Sequence, residues 1–384
     1  MNTQFMIVIA LTVAVNTGMG LIVPILPTFL QEFGYSVSGL SLPFFSLIVG
    51  RMISKSFAAR VIGLLRNKLT LVISFILYSL TFLAYTLVDS AEAFVALRFF
   101  EGIVEGISII CLTDLAIVLS KENRGQLMGI FGASFGIGFI LGPLIGGVCY
   151  ELWGTAAMFY AGTVLGLLAA FASLFVPSID TVPTQKKQGW LNTCLEHASY
   201  LPEYGPNIIR RAVFFSFMIL LPLYTTREFG INASQVAIFF TISAVISASL
   251  MPFTGKLADR FSTDKILSIS LPFMALLIAA FGFVNSLQWF ACLFILESLC
   301  FAFMLPAGMK VFADSIDDHP QRTSIISGFG GLTEAFTLIL ALILPSLYLL
   351  SAQAAWLAVA AVCGLAASPF IRRLINSPPE ATVV

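Results

Sequence analysis

Residues 125–147 read GQLMGIFGASFGIGFILGPLIGG, a stretch with no charged side chain. At about 1.5 Å per residue it crosses a hydrocarbon layer about 30 Å thick. Each glycine costs roughly 1 kcal/mol of helix propensity against alanine, so this density needs a return, and close approach of neighbouring membrane helices supplies one. Gly125, Gly129, Gly132 and Gly136 fall at steps of four, three and four and mark one flat stripe. Gly138, Gly142 and Gly146 mark a second. The spacing predicts two closely packed neighbours. Pro143 removes a backbone donor and predicts a kink beside Gly142.

The rest of the chain has the same character. Of its 384 residues 58% are hydrophobic and only 10% charged, where soluble domains carry about a quarter charged residues. The chain is an all-α integral membrane protein on this reading. The apolar run at the N-terminus has no positive n-region before it and continues past the length of a signal peptide, so it reads as a retained first span. Apolar runs predict twelve transmembrane helices, near 6–29, 37–58, 69–88, 93–119, 125–149, 155–176, 209–226, 234–254, 266–285, 289–312, 323–349 and 354–371. Lysine and arginine gather in alternate connections: Arg60, Arg66 and Lys68; Lys121 and Arg124; Lys186, Lys187, Arg210 and Arg211; Lys256, Arg260 and Lys265; Arg322; Arg372 and Arg373. The other connections carry only Arg227. The bias predicts both termini in the cytoplasm, in a bacterial-type inner membrane.

The connection 177–208 divides the chain into an N-terminal six-helix bundle, 1–176, and a C-terminal six-helix bundle with a short tail, 209–384. Within it Trp190, Leu191, Cys194, Leu195, Ala198 and Leu201 recur at helical spacing, which fits a short surface helix as well as a plain linker. The halves are copies. Pro27 to Gly34 is echoed by Leu223 to Gly230, Arg66-Asn67-Lys68-Leu69 by Thr263-Asp264-Lys265-Ile266, Phe94 to Glu101 by Phe290 to Glu297, and Arg124 to Gly132 by Arg322 to Gly330. One offset of 196 to 198 residues serves all four matches, which points to a six-plus-six duplication.

Other classes are excluded by what the residues do not form. The six cysteines and two histidines show no metal-ligand spacing, and no HExxH, GxSxG or phosphate-cradling GxxxxGK[ST] pattern occurs. No catalytic or metal site, no cofactor beyond a coupling proton and no nucleic-acid partner is expected, and the chain reads as a monomer in the lipid bilayer rather than an enzyme. A membrane-embedded enzyme or sensor that transports nothing stands as a third class, the missing motifs arguing against the enzyme.

Buried charges carry the chemistry, because an ionised residue at mid-bilayer costs about 2.5–3.5 kcal/mol on insertion scales. Arg98, Glu101 and Glu105 stand at steps of three and four on one helix face. Arg98 is expected to keep Glu101 ionised, while Glu105, further from the cation, is the acid placed to load and release a proton. Glu297 matches Glu101 in the repeat, with Phe294 in place of the arginine, and Glu334 falls near the middle of span eleven. Either is a candidate proton carrier, and Glu334 and Asn16 are candidates for the cargo cavity. Plainer readings stand beside these: an Arg98–Glu101 interhelical clamp, a Glu334 that only faces water, an Asn16 that only cross-links helices.

Several motifs carry a resemblance. Gly138-x-x-x-Gly142-Pro143-x-x-Gly146-Gly147 resembles the fifth-helix signature of drug:proton antiporters in the major facilitator superfamily. Leu97-Arg98-x-x-Glu101-Gly102 is similar to that group's fourth-helix signature, and Gly20-x-x-x-Pro24-x-x-Pro27 to its first-helix pattern. Gly255-Lys256-Leu257-Ala258-Asp259-Arg260 is similar to the superfamily's loop signature, whose acid and arginine tie helix ends together. The twin in the first half keeps Arg60 and Gly63 but lacks the aspartate, and Asp114 is the substitute acid, expected to meet Arg60, Arg66 or Lys68. The resemblance implies a secondary active transporter: proton-coupled export of small amphiphilic molecules such as drugs or secreted metabolites including siderophores, with a nutrient symporter as the alternative. Thirty-six phenylalanines fit an apolar, adaptable cavity. One proton moving inward across 100 mV supplies about 2.3 kcal/mol.

Overall fold

In lipid every backbone polar group must be satisfied within the chain, so apolar runs of this length close into helices. The computed structural model describes residues 2–22, 42–179, 189–231 and 233–376, with 233 and 234 described by backbone alone. Pro24, Pro27, Glu32, Lys186 and Lys187, which entered the sequence reading, lie outside these residues. The described chain forms thirteen α-helices: α1 Thr3–Ile22, α2 Leu42–Ser54, α3 Ala58–Tyr85, α4 Ala91–Leu119, α5 Arg124–Trp153, α6 Thr155–Ser173, α7 Trp190–Glu196, α8 Leu201–Phe229, α9 Ala233–Arg260, α10 Thr263–Phe281, α11 Leu287–Ile316, α12 Arg322–Leu350 and α13 Ala352–Asn376. Among the described residues eleven helices are long and apolar enough to cross a membrane. The remaining expected span, 37–58, is represented by the shorter apolar α2, its first residues falling outside the described set.

Helix ends follow local chemistry. Ser90 caps α4, its Oγ accepting from the Ala93 N–H at 3.3 Å, with Glu92 in the first turn. One residue, Gly154 at φ +82°, separates α5 from α6, and Gly230 at φ +65° closes α8 in the left-handed region where a side chain is strained. Two elements start earlier than hydropathy suggests. The charged stretch after α2 is helical from Ala58, broken by non-helical backbone at Arg66, and α8 begins at Leu201, inside the expected connection. Apolarity marks what lies in lipid, whereas a helix continues past the membrane wherever its backbone bonds do.

The chain forms two compact units. The first comprises Met1–Glu122, Ile130–Ala198 and Ile316–Leu338; the second comprises Asn123–Gly129, Ser199–Ser315 and Ile339–Val384. In the first, the second glycine stripe of α5 lies on α1. A Cβ at Gly138 would stand 2.5 Å from Asn16 Cβ, and one at Gly142 2.5 Å from the Thr17 carbonyl and 2.6 Å from Gly20 Cα. Gly146 meets the Leu21 carbonyl in the same way. Pro143, inside the one helix α5, sets its ring against Gly20. Gly147, from the same motif, has nothing within 4 Å of its Cβ position. In the second unit Gly125 and Gly129, from the other stripe, face Gly255 and Met251 of α9.

The duplication is visible in the aromatic cores. Tyr85 lies 5.0 Å from Phe94 and 5.2 Å from Phe159, centroid to centroid, in the first unit. In the second, Phe281 lies 4.8 Å from Phe290 and 5.1 Å from Trp356, at positions 196 or 197 residues further on. Gly142→Leu drives a side chain into the backbone of α1 and is expected to lower the unfolding temperature of the detergent-purified protein, overpacking costing about 1–3 kcal/mol or more. Gly147→Ala in the same motif should leave that temperature unchanged.

Candidate functional site

The first unit holds two buried ion clusters, both built on one face of α4. The lower step of that face is local. Arg98 Nη1 lies 3.0 Å from Glu101 Oε2, and the Tyr85 hydroxyl donates to the same oxygen at 2.5 Å. The guanidinium carbon stands 5.6 Å from the Phe94 ring centroid and 5.9 Å from that of Tyr85, so the cation is sandwiched by aromatic surface as well as paired. Glu101 is fully buried, and its Oε1 has no hydrogen bond among the described residues.

One turn on, Glu105 meets a residue that the sequence reading left out, Arg51 of α2. Arg51 Nη1 lies 3.2 Å from Glu105 Oε1, Nη2 lies 2.9 Å from Glu334 Oε1, and Nε donates to that Glu334 oxygen at 3.1 Å. All three side chains are at most 5% exposed. Two expected proton carriers from distant parts of the chain thus share one guanidinium, whose planar fork can serve two carboxylates at once. Lys55, one helical turn after Arg51 and also buried, donates through Nζ to the Gly106 carbonyl at 2.9 Å, and Ser327 donates to the Lys55 carbonyl at 2.7 Å. Glycine makes this possible: α2 and α4 approach so closely that a Cβ at Gly50 would strike the Phe99 carbonyl and one at Gly102 the Leu47 carbonyl. The signal for Arg51 and Lys55 was present, since both charges fall within the apolar run 37–58.

Asn16 lies in the same unit, buried. Its Nδ2 donates to the Thr12 carbonyl of its own helix at 2.8 Å, and its Cβ faces Gly138. Glu297 lies in the second unit, buried on α11, with Oε1 lacking a hydrogen bond and no ion pair reaching it among the described residues. Phe294 and Phe281 stand where the first repeat has Arg98 and Tyr85. The structure therefore groups Glu105 with Glu334, groups Arg98 with Glu101, and leaves Glu297 apart from both. Among the described residues no three His, Cys, Asp or Glu side chains converge as metal ligands.

The remaining motif residues act at helix ends. Asp259, in the last turn of α9, accepts from the N–H groups of Gly125 at 2.6 Å and Gln126 at 2.9 Å, filling orphan donors at the start of α5. Gly255 abuts Gly125 there, and Arg260 is the last residue of α9. Asp114 does not pair with Arg60, Arg66 or Lys68 as expected. It accepts from Arg322 Nε at 2.5 Å and from the Thr323 hydroxyl at 3.1 Å, at the start of α12. Arg124 Nη1, at the start of α5, lies 2.9 Å from Asp314 near the end of α11. Arg124 and Arg322 are counterparts under the internal repeat, and each pairs with an aspartate toward the end of α11 or α4, though the two aspartates are 200 residues apart and do not themselves match.

Comparison with known proteins follows the same lines. The sequence profile of the Major Facilitator Superfamily matches residues 8–202 and 207–383. The chain is 24% identical over 344 residues to the quinolone resistance protein NorA of Staphylococcus aureus, covering 88% of this chain and 87% of NorA. It is 22% identical over 318 residues to multidrug resistance protein 2 of Bacillus subtilis, covering 79% and 77%. Among solved structures it resembles the human organic anion transporter MFSD10, with a TM-score of 0.78 at 17% identity over 96% of this chain and 100% of that one.

Removing one partner of a buried ion pair costs about 3–5 kcal/mol because the other charge stays buried alone. Arg51→Met is therefore expected to lower the unfolding temperature of the purified protein sharply. Adding Glu105→Gln and Glu334→Gln to that variant should recover most of the loss; a triple variant no more stable than the single one would show that the pairing is not what Arg51 contributes.

Proposed function

The chain belongs to the Major Facilitator Superfamily, and from that premise we propose that it is a proton-coupled exporter of small amphiphilic molecules, exchanging cargo for protons. The observation that carries this reading is the guanidinium of Arg51 shared by Glu105 and Glu334. Two cations, Arg51 and Lys55, stand against two carboxylates in a site almost without water contact. A proton arriving on the Glu334 carboxylate removes its charge and weakens its hold on Arg51, which keeps its own charge and its bond to Glu105. That event loosens α12 from α2. Departure of the proton restores the pair. Because the low-dielectric surroundings make each charge costly when unmatched, protonation and helix release are linked.

The cargo class comes from the relatives' names, a quinolone resistance protein and a multidrug resistance protein. Inward movement of one proton across 100 mV releases about 2.3 kcal/mol, so neither a nucleotide nor another cofactor enters the cycle and no enzymatic step is part of it. The lysine and arginine bias supports a bacterial-type inner membrane with both termini in the cytoplasm, and the protein works as a monomer in this reading. Gly142 and Pro143 belong to the seam between α1 and α5 and serve helix movement rather than cargo contact.

The test uses reconstituted vesicles with an acidic lumen and a panel of quinolones and amphiphilic dyes added outside. Exchange predicts cargo-triggered loss of lumenal protons with cargo uptake, and near-complete loss of both in Glu334→Gln. Proton entry together with cargo when the outside is acidic would instead establish symport, and cargo movement indifferent to any pH gradient would overturn proton coupling.

A further inference from the structure

The short helix α7 is seated on α12 through two glycines. A Cβ at Gly331 would stand 2.6 Å from Trp190 Cβ, and one at Gly328 3.0 Å from Thr193 Cβ. Thr193 and Cys194 are buried on that face, while Leu191 and Leu195 are exposed on the other. Gly331 lies one turn before Glu334, so the seat of α7 adjoins the turn of α12 that Arg51 holds. Immediately after α7, the His197 ring packs edge-on against His319 of the turn before α12, with centroids 5.5 Å apart. His319 Nδ1 accepts from the Gln321 N–H at 3.1 Å, and His197 Nδ1 lies 3.1 Å from the Thr193 carbonyl. Only a nitrogen without a hydrogen can accept, so this contact requires the uncharged ring of His319.

We propose that α7 is a strap over α12 whose clasp, the His197–His319 ring pair, opens when the His319 imidazole is protonated. Protonation of His319 puts N–H against N–H at Gln321 and sets a cation against the His197 ring. Among the described residues the other charges on this face are Glu196 beside His197, Asp317 and Asp318 in the turn of His319, Lys121, which lies 3.8 and 3.9 Å from those aspartates, and Arg322, which donates to the Asp317 carbonyl and pairs with Asp114. The aspartates favour an imidazolium but are shared with Lys121, and Asp318 points into solvent. Burial, and then His197, push the His319 ring below its ordinary value. A group whose value is lowered in the docked form favours docking while it is neutral. The strap is therefore held fully above the ordinary histidine range, near pH 6.5, and loosens as pH falls through and below it. The lysine and arginine bias puts this face in the cytoplasm, so the clasp responds to cytoplasmic acid.

Cys194 reports the strap directly. Its thiol is covered, and burial pushes it up to about 11, so it reacts slowly while α7 is docked. Full-length protein is pulse-labelled with a methanethiosulfonate reagent between about pH 5.5 and about pH 8, bracketing the ordinary histidine value, and modification of the Cys194 peptide is read by mass spectrometry. The double variant His197→Phe, His319→Phe keeps an edge-to-face ring pair that cannot titrate. At each pH the ratio of wild type to this variant cancels the thiol's own pH dependence. A several-fold rise of that ratio toward acid supports the clasp; a flat ratio overturns it. Should the double variant label fully at every pH through misfolding, His197→Phe alone serves as reference, and an acid response in it equal to wild type overturns the pair's role. The outcome does not depend on transport, so its failure leaves the exporter reading standing.

Discussion

A guanidinium buried among helices must be matched or the fold loses several kcal/mol, and Arg51 is matched twice. That requirement organises the first unit. It brings Glu105 of α4 and Glu334 of α12 to one point, although 283 residues separate Arg51 from Glu334. It also explains why Ile316–Leu338 belongs with the N-terminal helices in one compact unit. Arg322 with Asp114, Ser327 with Lys55 and Trp190 with Gly331 secure the same stretch of α12 along its length. An arginine suits the task better than a lysine, since its fork offers separate donors to the two acids.

Such pairing needs helices that approach closely, and the glycines provide it at a cost in propensity that packing repays. Gly50 and Gly102 let α2 and α4 touch backbone to backbone, which is why Arg51 reaches Glu105 with little water between them. The α1–α5 seam is a second instance, with Gly138, Gly142 and Gly146 all used and Gly147 not. Where a glycine Cα faces a carbonyl of the neighbouring helix across so small a gap, weak Cα–H···O contacts add to dispersion. One seam positions charge and the other positions Asn16, so the same small residues serve both packing and site.

Much of this was legible in the chain, and the boundary is physical. Span existence follows from apolar length, and the Arg98–Glu101 pair from a spacing of three on a helix, which is local information. Asp114 was expected to meet Arg60, Arg66 or Lys68 because those charges share its depth and its half. The structure gives it Arg322 instead, since depth narrows the candidates without choosing among helices. Arg51 and Lys55 fall within the apolar run 37–58, yet nothing in that run names their partners, which appear only once α4 and α12 are in place. The early starts of α3 at Ala58 and α8 at Leu201 escaped a reading based on hydropathy, because helices persist where lipid ends.

The two repeats keep one packing plan and divide its chemistry. Tyr85 and Phe94 flank Arg98 in one, with Phe159 stacked on Tyr85, and Phe281, Phe290 and Trp356 stand at the matching places in the other. The acid persists there as Glu297, yet the cation has become Phe294 and the hydroxyl has been lost with Phe281. A charge kept at that position would bear the insertion cost of about 2.5–3.5 kcal/mol with no partner among the described residues to offset it. Duplication thus conserved the aromatic scaffold, whose energy depends on area and ring geometry, while the pairs with both members buried, Arg98–Glu101 and Arg51 with Glu105 and Glu334, lie in the first unit. The second repeat supplies that unit with Glu334, and at the helix ends the matching arginines Arg124 and Arg322 each meet an aspartate, Asp314 and Asp114.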